Sequence, residues 1–144
     1  MPHAEGSEFI ARRPDEVFRF LADGANNPRW RPGVLDIQRL TDAPDGVGTV
    51  YSQGQQGPGG RRMAADYRIT EYQPGLVLAF EVIAGPARPT GRYELAAVDG
   101  GTRIIFSLDW QPTGLARLLS PAVARQMPKE IAHLARLKSV LEAG

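Results

Sequence analysis

The 144-residue chain has no cysteine and only two histidines. The first absence excludes disulfides and thiolate nucleophiles and suits a reducing compartment. The second leaves little for a transition metal. Neither His3 nor His133 has a partner His or Cys at ligand spacing, so no metal site is expected. Charge of one sign is scarce as well: 17 Lys and Arg against 16 Asp and Glu leave a formal net charge of +1. No overall field draws such a chain to nucleic acid or to acidic lipid. No segment approaches the roughly 20 apolar residues that span a bilayer, so no membrane insertion is expected. "MPHAEGSEF" lacks the basic-then-apolar order of a secretory signal, which predicts a cytoplasmic protein. The phosphate-loop lysine motif, a G-x-G-x-x-G after a strand and a G-x-S-x-G elbow are all missing, and no cofactor is expected.

What is present is globular. A hydrophobic content of 42% with 23% charged residues supports one core, and the length suits a single domain over residues 1–144. "TRIIFSLDW" (102–110) alternates with period two, placing Ile104, Phe106, Leu108 and Trp110 on one side, as in a strand with one buried face. Six further segments read as strands: "SEFIARR", "VLDIQRL", "GTVYSQ", "MAADYRITEY", "LVLAFEVIA" and "GRYELAAV". "QPG" (73–75) and "DGG" (99–101) supply turn chemistry between three of them. "QGQQGPGG" (53–60) is too glycine-rich to order itself and reads as the mobile tip of a hairpin.

Two helices frame the strands. "RRPDEVFRFLAD" has Pro14 at the first helical position, Asp15 and Glu16 in the first turn, and Val17, Phe18 and Leu21 on one face. "NNPRWRPGV" is broken by proline and reads as a turn or a single helical turn. At the other end, Ser120 and Pro121 form an N-cap and first-turn signature. Val123, Met127, Ile131, Leu134, Leu137 and Leu141 then share one stripe of a long helix. Pro128 is expected to kink it near Ala124, whose carbonyl loses its partner.

Seven strands about 4.8 Å apart are about three times wider than one helix of about 10 Å. The sheet must therefore curl around the helix, leaving space between them unless bulky side chains fill it. The fold class expected is α+β, a seven-stranded curved antiparallel sheet around a long C-terminal helix.

This order resembles the helix-grip fold of the START/Bet v 1-like (SRPBCC) superfamily, and most nearly its polyketide cyclase/dehydrase-like branch. "FIARRPDEVFRFLAD" with Trp30, "GVGTVY", "YRITEYQPGLVLAFEV", "GTRIIFSLDW" and the closing "LARLKSVLEA" carry the resemblance. It implies an apolar cavity between sheet and helix and the binding or transport of a small hydrophobic, lipid- or polyketide-like ligand. The alternative it implies is a polyketide cyclase, aromatase or dehydratase acting in that cavity. The expected wall draws Phe80, Val82, Phe106 and Leu108 from strands and Met127, Ile131 and Leu134 from the helix. Trp30, Tyr51, Tyr67, Tyr93 and Trp110 combine apolar bodies with one hydrogen-bonding tip, which suits such a ligand and equally suits an ordinary core.

Two residues are candidate catalysts. Arg68 falls where aromatase/cyclase members carry an arginine that orients the polyketide, and an inward cation there would stabilise a developing enolate. The alternation opposes this: Met63, Ala65, Tyr67 and Ile69 form the apolar set, leaving Asp66 and Arg68 outside unless a bulge reverses them. Glu130 falls within the helix's apolar stripe. Facing a cavity it would serve as an acid or grip a polar ligand end; rotated by the Pro128 kink it would reach the surface. His133 reads as a solvated residue on the polar face, and Arg61 and Arg62 as solvated beside the loop. The charge pattern marks no protein-binding face, so a monomer or weak homodimer is expected.

Overall fold

The alternating segments pair into one antiparallel sheet in the computed structural model, which describes residues 3–85 and 87–144. Its strands are β1 (His3–Ile10), β2 (Val34–Arg39), β3 (Val50–Gln56), β4 (Arg62–Ala64), β5 (Tyr67–Gln73), β6 (Val77–Val82), β7 (Thr90–Val98) and β8 (Gly101–Asp109). Seven follow one path, β1-β8-β7-β6-β5-β3-β2, and the short β4 pairs with β3 off that path. The extra strand arises because "MAADYRITEY" divides at Ala65 and Asp66. The Asp66 carboxylate there accepts the Gln53 N–H at 3.1 Å. The glycine-rich segment is not a loose tip: β3 runs into it as far as Gln56, which pairs with Arg62. The sheet curls into a half-barrel. Register shifts at Val34/Asp36 and Ile69/Glu71 are bulges, which bend a strand and raise its twist.

Helix α1 (Pro14–Ala22) has Pro14 in its first turn with Asp15 and Glu16, and it buries Val17, Phe18 and Leu21. After a 3₁₀ turn at Gly24–Asn26, α2 (Asn27–Trp30) is a single turn that buries Asn27 and Trp30. The C-terminal rod runs as α3 (Ser120–Ala132) and α4 (Leu134–Ala143). Ser120 is not an N-cap. Its φ of −52° and ψ of −45° are already helical, because a 3₁₀ segment at Gly114–Leu119 leads directly into α3. Pro128 lies inside α3, and the interruption falls at His133 rather than in the Ala124 turn. The His133 N–H reaches back three residues to the Glu130 carbonyl at 3.1 Å, the tighter bond of a 3₁₀ turn.

The inner face carries an aromatic chain across five neighbouring strands. Tyr51 stacks on Tyr67 at 5.2 Å, Tyr67 meets Phe80 edge-on at 5.6 Å, Phe80 lies 6.1 Å from Tyr93, and Tyr93 stacks on Phe106 at 4.4 Å. Cross-strand aromatic pairs of this kind contribute about 0.5–1.5 kcal/mol each beyond their burial. The rod comes closest to the sheet at β1. A Cβ added at Gly6 would stand 2.5 Å from the Ile131 side chain, so any larger residue there would force Ile131 or the helix to shift.

Candidate functional site

The rod does not lie on the sheet along its whole length. Its α4 half, with Leu134 and Leu137, is buried in the core, whereas α3 meets the sheet at Ile131 against Gly6 and leaves open space beside Val123 and Met127. Between α3 and the aromatic chain lies a cavity of about 710 Å³, within the range of small-molecule sites. Tyr67, Phe80, Val82, Tyr93, Phe106, Leu108 and Met127 line it, as expected from the sequence. Trp30, Tyr51, Trp110, Ile131 and Leu134 do not. They belong to the solid core, for reasons visible in their neighbours. Ile131 points at Gly6, Trp30 packs edge-on to Tyr93, and the Tyr51 hydroxyl donates to the Ala22 carbonyl at 3.4 Å. The hollow is thus closed by Val123 and Met127 rather than by the full stripe to Leu141.

One end of this apolar space is polar. Arg31, from the residue after α2, meets Glu130 of α3 with Nη2 and Nε each 3.2 Å from Oε2. Gln55 donates to Glu130 Oε1 at 2.8 Å, and Gln126 reaches the same oxygen at 3.4 Å. The side chains of Arg31 and Glu130 are only 13% and 8% exposed. Burial works against the charge on Arg31, but the adjacent Glu130 carboxylate holds its pKa above the ordinary guanidinium value. Beside this pair, the Asn27 side-chain amide donates to Gln53 Oε1 at 2.9 Å and to the Tyr67 hydroxyl at 3.0 Å. Burial pushes both the Tyr67 and Tyr93 phenols well above their usual pKa. They stand as neutral hydroxyls, and that of Tyr93 has no partner among the described residues.

Two residues whose placement was open, Glu130 and Arg68, are located here, and the reading of His133 changes. Glu130 is not turned to the surface: it is buried and lines the cavity, paired with a guanidinium rather than alone. His133 is half-buried rather than a fully solvated residue. It lines the cavity, with Nδ1 3.6 Å from Glu130 Oε2 and without a hydrogen-bond partner. Arg68 lies outside, exposed and paired with Glu81, its register partner on β6. The bulge that would have turned it inward falls after it, at Ile69/Glu71. Arg62 is also paired, with Asp36 at 2.8 Å. The polar residues that sequence reasoning passed over are Asn27, Arg31, Gln53 and Gln55. A signal existed for two of them. Tyr51, Gln53 and Gln55 alternate, so the inward side of Tyr51 continues into both glutamines.

A sequence profile of the family described as "Polyketide cyclase / dehydrase and lipid transport" matches residues 1–142. The chain belongs to this family. It is also similar to uncharacterized proteins of Mycobacterium tuberculosis and Mycobacterium bovis, 25% identical over 112 residues, a match covering 75% of this chain and 65% of theirs. Among solved structures, TTHA0849 of Thermus thermophilus superimposes with a TM-score of 0.80 at 19% identity, over 99% of this chain and 98% of that one. Ara h 8.0201 gives 0.77 at 17% identity, over 99% and 98%. The Zhui aromatase/cyclase from Streptomyces sp. R1128 gives 0.75 at 20% identity, over 97% and 93%. At these identities the structural neighbours establish the helix-grip fold of this polyketide cyclase-like family member.

Proposed function

We propose that the protein binds or carries a small, mostly apolar and uncharged ligand. A single carbonyl or hydroxyl on that ligand sits at the Arg31–Glu130 end of the cavity, beside Tyr93. The observation that carries this reading is the pairing of about 710 Å³ of aromatic-walled space with a polar end whose two charges cancel. Burying ligand surface against such walls stabilises a complex by about 25 cal/mol per Å² removed from water. A ligand carboxylate would instead lose its hydration to meet an arginine already neutralised by Glu130. The family description, which includes lipid transport, supports the same reading.

The test is a fluorescence titration with the neutral probe N-phenyl-1-naphthylamine, followed by competition. Saturable binding at one site is expected. 2-Acetonaphthone should displace the probe at least about tenfold more effectively than naphthalene-2-carboxylate, because desolvating the carboxylate costs the equivalent of more than one kcal/mol. No saturable binding, or preference for the carboxylate, contradicts the proposal.

One observation favours a second reading, cyclisation or dehydration of a polyketide-like ligand. The His133 ring lines the cavity with its buried Nδ1 turned 3.6 Å from Glu130 and without a hydrogen-bond partner, and the other ring nitrogen of an imidazole at a cavity wall can take a proton from carbon beside a ligand carbonyl. If so, the protein accelerates deuterium exchange at the central carbon of 1-phenyl-1,3-butanedione, and His133→Ala removes the acceleration. Exchange at the buffer rate disposes of this reading.

A further inference from the structure

The net charge of +1 conceals a segregation that only the fold reveals. Three segments distant in sequence border the cavity: the β3–β4 hairpin, the β6–β7 connection and α3. Gln56, Ala64, Gln126 and Lys129 are exposed and also line the cavity, so its mouth opens among them. The β6–β7 connection joins the chain just past the hairpin, where the Ile83 N–H donates to the carbonyl of Asp66, whose carboxylate is engaged by the Gln53 N–H. Residues 53–65, 82–93 and 111–129 contain no aspartate or glutamate. They contain seven cations, of which Arg62 is paired with Asp36 and Arg92 with Glu71. Arg61, Arg88, Arg117, Arg125 and Lys129 remain without an ion-pair partner among the described residues. Arg125 stands on α3 one turn from Lys129, on the same helix face.

Apolar side chains protrude from the 3₁₀ segment that runs directly into α3, the helix forming one side of that mouth. Leu115 and Leu118, on the 3₁₀ segment leading into α3, are 85% and 79% exposed, the highest values among the large apolar residues. We infer that this rim docks on an anionic lipid bilayer. Leu115 and Leu118 enter the headgroup layer, and the unpaired cations lie over lipid phosphates. Protruding leucines between cations suit a soft surface that yields around them, whereas a rigid protein partner would need matching pockets. Docked this way, the cavity mouth faces the membrane, from which an apolar ligand passes without crossing water. The docking surface stands on the rim alone; its use in loading rests on the proposed ligand-binding function.

The test is co-sedimentation of the full chain with vesicles of phosphatidylcholine alone and of phosphatidylcholine mixed with phosphatidylglycerol, at low and high salt. Tighter binding to the mixed vesicles, weakened by salt, is expected. Each cation near an anionic surface is worth about a fivefold change in partitioning, so Arg117→Glu/Arg125→Glu should lower it by more than about tenfold. Leu115→Ser/Leu118→Ser should lower it too, with N-phenyl-1-naphthylamine binding unchanged. Equal binding to both vesicle types, wild-type partitioning by the charge-reversed variant, or binding only to an acidic protein overturns the inference. Vesicle binding without probe binding upholds docking and defeats the ligand proposal, so the two fail separately.

Discussion

Arg31 and Glu130, 99 positions apart in sequence, hold each other's charge inside a largely apolar space. Removing one partner strands the other, at a cost of about 3 kcal/mol, whereas removing both leaves no orphan. Urea unfolding should therefore show Arg31→Met and Glu130→Met each well below wild type and the double variant above both; a double variant at the sum of the singles refutes the pairing. The buried phenols set a second residue-scale expectation. Burial raises the pKa of Tyr67 and Tyr93, so above about pH 10 the folded protein keeps protons that the unfolded chain gives up. Their contribution is complete below that pH and is lost as pH rises beyond it. Urea midpoints should fall on the alkaline side, and less steeply in Tyr67→Phe/Tyr93→Phe; identical slopes contradict this. At this scale the sequence was partly legible. Glu130's place in an apolar stripe was visible, but its partner was not, because nothing local links it to a residue beyond Trp30. Arg68 was readable by alternation, since a residue one step from Tyr67 must face the other way.

Among elements, the decisive contact is α3 against β1. The helix touches the strand at Gly6, where a side chain would meet Ile131. Gly6→Val is expected to lower stability by about 1–3 kcal/mol through overpacking, and Gly6→Val/Ile131→Ala should recover part of that in thermal unfolding. No recovery would mean that the helix is seated elsewhere. The strands were legible from period two and the turns from Gly, Pro and Asp, because those signals are local. The interruption at His133 was not. Proline marks where a helix bond is missing, but where the rod breaks also depends on how Ile131 and Leu134 seat on the sheet. For the same reason the apolar stripe did not reveal that its first half faces a void and its second a core.

For the whole molecule, the order of elements fixed a curled sheet around one helix by width alone, and the family match over residues 1–142 agrees with it. Charge segregation at the rim was invisible because it is assembled from three distant segments. The cavity was legible only as a possibility, since periodicity says which side chains face inward and not whether they meet. Membership of a family described by both cyclisation and lipid transport leaves the use of that space to its chemistry. The proposal of an uncharged guest rests on the apolar wall and on the paired charges of Arg31 and Glu130 at its end. The most direct measurement is diffraction from crystals pressurised with xenon, a gas that collects in accessible apolar cavities. Xenon held between sheet and α3 against Phe80, Tyr93 and Met127 is the predicted result; an interior that takes up none would contradict the account.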